Sequence, residues 1–212
     1  MNVSKLESKS RNVAYTYIER DSTTICVMLS GTGYTYEKPL LYYSTMQMIE
    51  ADYDLVQIHY SYDSSCFKMN PLDFINIIIE DVDSVITEVF STKKYEQVIF
   101  IGKSLGTLPI AFKYSKAAYF QDAKLILLTP LLQIEGFHES VMESQKDILM
   151  IIGTEDVYYI KESVDALRHK GNVNLIEIDG ANHSLEIEPT NTKESLIVME
   201  QVMKELNKFL IK

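Results

Sequence analysis

What this 212-residue chain lacks narrows what it can be. No apolar run approaches the roughly 20 residues that a helix needs to cross a bilayer, so membrane insertion is not expected. Residues 1–12, MNVSKLESKSRN, lack the apolar stretch of a secretory signal. Cysteine is scarce. Of the two, Cys26 sits in an apolar run and Cys66 follows a polar loop; neither belongs to a CxxC or to a histidine cluster at ligand spacing. They read as free thiols of a reducing, cytoplasmic compartment, and a zinc site is not expected. Positive charge is also short: 20 Lys and Arg against 30 Asp and Glu leave a net charge of -10. Such a surface repels phosphate backbones, which speaks against nucleic acid as a partner. Low-complexity tracts, repeats and internal linkers are missing too. The length suits one well-filled core and is short for two, so residues 1–212 are expected to form a single domain.

What is present is a regular alternation. Val13, Tyr15 and Tyr17 alternate with polar neighbours, the pattern of a strand, and pairing with the preceding segment is expected. Residues 23–29 (TTICVML) are nearly continuously apolar and β-branched, as in strands buried on both faces. The same texture recurs at 53–60, 97–102, 124–129, 147–153 and 173–179. Helical periods fill the gaps. Asn70-Pro71 is a cap followed by proline at the first helical position, and Phe74, Ile78, Val82, Val85 and Val89 share one face beyond it. Asn191 with Glu194 opens a second helix, with Leu196, Met199, Val202, Leu206 and Phe209 or Leu210 inward. Strand–helix alternation predicts an α/β fold: a three-layer α/β/α sandwich around a mainly parallel, twisted sheet. Functional groups in such sheets lie on loops beyond the carboxyl ends of the strands.

Residues 99–107, IFIGKSLGT, admit two readings. Gly-Lys-Ser suggests a phosphate loop, but the first glycine of GxxxxGK[ST] would fall at Gln97, and Val98 to Ile101 form a strand rather than a loop. Gly102-Lys103-Ser104-Leu105-Gly106 fits a nucleophile elbow instead, because it joins a strand to the helical stretch TLPIAFKYSKAAY. There the glycines permit a sharp turn that exposes the Ser104 hydroxyl, and the Leu105 N–H at the helix start faces a developing oxyanion. Lys103 is expected to face solvent.

Serine needs a base oriented by an acid. TEDVYY follows the strand at 147–153 and offers Asp156; GANHSLE follows the strand at 173–179 and offers His183. The order Ser104, Asp156, His183 is that of a catalytic triad on this kind of sheet. Glu155 is the neighbouring rival for the acid, and Asp179 is read as a brace for the histidine loop. His59, His138 and His169 are read as structural or solvated. A second oxyanion donor is expected from the loop SGTGYTYEKP: Thr32 first, with Gly33 or Tyr34 behind it. The tyrosine-rich loops suggest pocket walls at Tyr34, Tyr36, Tyr60 and Tyr158, with Tyr62 and Tyr159 beside them. About 17 residues between the strands at 124–129 and 147–153 are too few for a separate cap domain, which predicts an open, shallow cleft for a small, partly polar substrate.

GKSLG, GTED and GANHS in this order make the chain similar to the α/β-hydrolase superfamily over nearly its whole length, nearest to compact dienelactone-hydrolase-like proteins or small carboxylesterases. The resemblance implies a serine hydrolase acting through an acyl-enzyme on a small-molecule acyl substrate, without metal or cofactor. Ser104 would be the nucleophile, His183 the base, and Asp156 its partner. Ser30 stands where the family's common oxyanion motif has histidine, so the loop's donor stays open. The rival function is a non-catalytic scaffold that binds a small molecule; phosphoryl transfer is disfavoured by the missing loop glycine.

Overall fold

In the computed structural model, which describes residues 1–187 and 191–211, the chain opens with a hairpin of β1 (Asn2–Glu7) and β2 (Ala14–Glu19). Strands and helices then alternate: β3 (Thr24–Leu29), α1 (Pro39–Glu50), β4 (Asp54–His59), α2 (Pro71–Thr92), β5 (Gln97–Lys103) and α3 (Thr107–Pro109). After them come β6 (Lys124–Leu128), α4 (Phe137–Glu143), β7 (Ile148–Gly153), α5 (Lys161–Arg168), β8 (Val173–Ile178) and α6 (Thr192–Ile211). The eight strands lie in one sheet in the order β1-β2-β4-β3-β5-β6-β7-β8. The β1–β2 and β2–β4 pairs are antiparallel and every other pair is parallel. The chain is thus an α/β protein with a mostly parallel sheet.

The continuous apolar runs follow from burial on both faces. Along β3, Ile25, Val27 and Leu29 enter one core while Cys26 and Met28 enter the other, and β5 and β7 divide in the same way. The first core is closed by α2, the helical stretch after β5, α4 and α5; the second by α1 and α6. The amphipathic stripe of α2 packs as its period demands, with Phe74, Ile78, Val82, Val85 and Val89 buried and the Asn70 side chain accepting from Leu72 N at 2.9 Å. On α6, Val198, Met199, Val202, Leu206 and Phe209 are buried, but Leu196 is exposed, because it lies to one side of the stripe formed by Val198, Val202, Leu206 and Phe209.

The segment after β5 is less regular than its sequence suggests. A 3-10 turn at Ser104–Gly106 leads into α3, and Ile110–Tyr114 then widens to a π-helix closed by Ser115 N donating to Ile110 O at 2.7 Å. At the amino end of β4, Asp54 is fully buried and saturated with donors: Arg20 N at 2.7 Å, Ser22 N at 3.2 Å, Tyr95 Oη at 2.7 Å, Tyr17 Oη at 2.9 Å and Lys93 Nζ at 2.8 Å. No helix among the described residues is long and apolar enough to cross a membrane.

Candidate active site

The carboxyl ends of β3, β5, β7 and β8 converge on one point. Ser104 follows β5 directly and has φ +53°, a left-handed conformation costly for a side-chain-bearing residue. The flanking glycines make this turn possible. A Cβ on Gly106 would lie 2.2 Å from Leu29 O, and one on Gly102 would lie 2.4 Å from Gly106 O, so neither position has room for a side chain. Thr107 Oγ1 donates to Ser104 O at 2.6 Å and fixes the start of the helical stretch.

Ser104 Oγ lies 2.8 Å from His183 Nε2, and His183 Nδ1 lies 2.8 and 2.9 Å from the two carboxylate oxygens of Asp156. The Asp156 side chain is completely buried and that of His183 is 26% exposed, so the acid is sealed beneath a base that solvent and ligand can reach. Asp156 also accepts the Tyr158 N–H at 2.9 Å, while the Tyr158 ring packs edge-on against His183 with centroids 4.8 Å apart. A serine hydroxyl, an imidazole and a buried carboxylate joined in this way can relay a proton out of the hydroxyl as it attacks.

The neighbouring acids do other work. Glu155 donates its backbone N–H to Ala181 O at 3.0 Å and lies outside the hydrogen-bonded trio. Asp179 accepts from Thr154 Oγ1 at 3.4 Å, and Thr154 Oγ1 accepts from Gly180 N at 2.8 Å, which ties the histidine loop to the acid loop. Within the histidine loop, Asn182 Oδ1 accepts from Ser184 N at 2.8 Å and from Glu186 N at 3.2 Å. This local turn holds His183 in place; an asparagine just before the histidine is its sequence signature. The remaining histidines stand elsewhere. His59 bonds Thr16 Oγ1 at 2.8 Å and burial lowers its pKa, His138 lies on α4 and His169 closes α5.

A cavity of about 500 Å³ opens beside Ser104. Thr32, Leu105, Tyr158 and His183 line it near the serine. Its walls are Leu108, Leu131, Ile134 and a stretch leading into the first turns of α2, Cys66, Phe67, Met69, Pro71, Phe74 and Ile75, none of which the sequence marks as a pocket wall. Among the described residues, no Asp, Glu, Lys or Arg side chain lines it. The expected tyrosine walls are therefore corrected: of Tyr34, Tyr36, Tyr60 and Tyr158, Tyr158 lines the cavity and the other three do not. Each of those three spends its hydroxyl on the backbone. Tyr36 donates to Met28 O and Ile58 O at 2.7 and 2.9 Å, Tyr60 donates to Ser30 O at 2.6 Å, and the Tyr34 oxygen accepts from Leu40 N at 3.1 Å. Burial raises the pKa of all three hydroxyls. Tyr62 and Tyr159 likewise bond Asp81 and Glu177.

The loop after β3 forms a turn closed by Tyr34 N donating to Gly31 O at 3.2 Å, with Gly33 at φ +67° in its third position. Thr32 reaches the cavity, whereas Gly33 and Tyr34 do not line it. Lys103, expected in solvent, is 2% exposed. Its ammonium lies 4.7 Å from the centre of the Tyr34 ring, and burial lowers its pKa to about 8 against the opposing charge of Asp156.

A family model described as an alpha/beta hydrolase domain matches residues 22–211. No curated protein matches the chain. Among solved structures, Est1E from Butyrivibrio proteoclasticus superposes with a TM-score of 0.72 at 13% identity, covering 100% of both chains. A serine hydrolase without lid from Xanthomonas campestris gives 0.70 at 14% identity over 98% of this chain and 94% of its own. An alpha-beta serine hydrolase homologue from Coxiella burnetii gives 0.67 at 16% identity over 97% of each. These likenesses are likenesses of fold.

Proposed function

We propose that this chain, which belongs to the alpha/beta hydrolase family, is a serine hydrolase that cleaves esters carrying an uncharged, apolar acyl group. One observation carries the reading: Ser104 Oγ sits 2.8 Å from His183 Nε2 while a fully buried Asp156 holds the far side of the ring. In the reaction Ser104 Oγ attacks the ester carbonyl and His183 Nε2 takes its proton. The imidazolium is held by the Asp156 carboxylate and returns the proton to the departing alcohol. Water, deprotonated by the same nitrogen, then releases the acid from the acyl-enzyme. The backbone amides of Leu105 and Thr32 receive the negative charge on the carbonyl oxygen, a role supported by their place on the cavity beside Ser104.

The substrate is a small molecule whose acyl part enters the cavity of about 500 Å³, a volume within the usual range for small-ligand sites. We read the chain as a single domain without a cap, since the stretch between β6 and β7 adds one seven-residue helix, α4. A purely binding role does not account for a serine kept at φ +53° in hydrogen-bond reach of a base, because a ligand pocket needs neither.

Covalent labelling tests the reading. A fluorophosphonate probe should add once to the intact protein, and the adduct should be absent from Ser104→Ala. Labelling that persists in that variant, or a wild-type protein that does not label, refutes it.

A further inference from the structure

Lys103 is a buried cation beside the serine with little to neutralise it. It is 2% exposed, and among the described residues its ammonium has no hydrogen bond or ion pair, only the face of the Tyr34 ring at 4.7 Å. Burying such a charge unpaired is costly unless nearby charges or dipoles offset it. Its stem is tightly placed: a Cβ on Gly31 would come within 3.1 Å of Lys103 Cδ and 3.0 Å of Ser104 Cβ. The groups around it are few. Tyr34 faces it from the loop after β3, and the Tyr34 hydroxyl stays protonated because burial raises its pKa, aided by the charge of Glu186 on the loop after β8. Asp156, on the loop after β7, is the carboxylate whose charge acts on it.

We propose that Lys103 is a positioning residue for the hydrolysis: through the Tyr34 ring its ammonium anchors the turn that carries Thr32. The inference rests on the Ser104 reading above. The ammonium holds the Tyr34 ring, and Tyr34 closes the turn Gly31–Tyr34 through its N–H to Gly31 O at 3.2 Å. Losing the charge therefore loosens the turn and weakens the contact of Thr32 with the oxyanion.

The test compares kcat and KM against pH for wild type, Lys103→Met and Lys103→Arg, with p-nitrophenyl butyrate as substrate. Methionine keeps most of the stem without the charge; arginine keeps the charge at any pH the enzyme tolerates. Wild-type kcat should fall on the alkaline side with a midpoint near pH 8, where Lys103 loses its proton. Lys103→Met should show kcat lowered about tenfold at neutral pH, KM within about twofold, and no alkaline fall. Lys103→Arg should recover most of kcat and keep it well above that midpoint. If Lys103→Met does not fold, the alkaline limb of Lys103→Arg decides alone. An unchanged limb in either folded variant, or full kcat in Lys103→Met, overturns the inference. Fluorophosphonate labelling separates the two levels: an unlabelled wild type sinks the Ser104 reading and this inference with it, whereas a labelled wild type with unchanged variants sinks the inference alone.

Discussion

Tyr158 is joined to two members of the trio at once: its backbone N–H bonds Asp156 Oδ1 at 2.9 Å and its ring packs against His183 with centroids 4.8 Å apart. The backbone bond survives any side-chain change, but the ring contact does not. Tyr158→Ala should lower kcat about tenfold by freeing the imidazole, while Tyr158→Phe stays within about twofold because the ring edge remains. Steady-state kinetics on a p-nitrophenyl ester distinguish the two; equal losses would mean that the hydroxyl, not the ring, matters.

Substitutions in the trio should silence turnover without unfolding the chain. Ser104→Ala, His183→Ala and Asp156→Asn are each expected to cost about 10⁴-fold or more in kcat, because such groups act as a unit. Glu155→Gln should be near wild type, since Glu155 contributes a backbone bond to Ala181 and stands outside the trio. A silent Glu155→Gln with an active Asp156→Asn would reassign the acid.

Acyl length should matter in a particular way. Each methylene buried against Leu108, Leu131, Ile134 or Phe74 gains about 0.8 kcal/mol, so kcat/KM should climb about fourfold per carbon from acetate until the cavity is full. Esters of intermediate chains should be the best substrates, and a terminal carboxylate on the acyl chain should abolish the gain, because among the described residues no Lys or Arg lines the cavity. A p-nitrophenyl ester series with a hemisuccinate as control measures this. An optimum at acetate or at palmitate would contradict the apolar cavity as the acyl site.

The far end of the sheet predicts acid sensitivity. Burial alone would raise the pKa of Asp54, but Lys93, the Arg20 and Ser22 amides and Tyr95 outweigh it and hold the carboxyl at about 2. A carboxylate whose folded pKa is depressed stabilises the fold above its unfolded pKa of about 4 and loses that contribution as pH falls toward 2, here on the order of 2 kcal/mol. Urea titrations at neutral pH and near pH 3 should show wild type losing much of this increment and Asp54→Asn, already weaker, losing less. Parallel acid losses in both proteins would show that Asp54 is not the group responsible.

Much of this architecture was legible because its determinants are local. Strands buried on both faces need unbroken apolar runs, and the tight turn at Ser104 needs glycines on both sides, at Gly102 and Gly106. Asp156 and His183 follow successive parallel strands, so their chain order carries their spatial order. What the sequence hid depends on distant neighbours. Lys103 alternates into the α1 and α6 side of the sheet, where the loop after β3 covers it, and nothing adjacent in sequence announces that cover. Tyr36 and Tyr60 look like pocket walls in one dimension, yet backbone carbonyls left over at strand ends claim their hydroxyls. The apolar wall at residues 66–75 is not legible as a wall because Cys66, Phe67 and Met69 share neither a strand nor a long helix period, while Pro71 and Phe74 read only as the start and inner face of α2.

The hairpin at the start of the chain has a consequence for solubility rather than chemistry. Every residue of β1 is exposed, and among the described residues it pairs on one side only, with β2. Its outer edge carries free backbone donors and acceptors, but the strand is six residues long and includes Lys5 and Glu7, which makes it a poor template for another chain. Without β1, the open edge would be β2, where Tyr15 and Ile18 are already buried against the two cores and the next partner is the apolar strand β4. Shaving off residues 1–8 should therefore leave Ser104 and its partners in place, some distance across the sheet, while making the protein more prone to stick to itself through that newly bared strand.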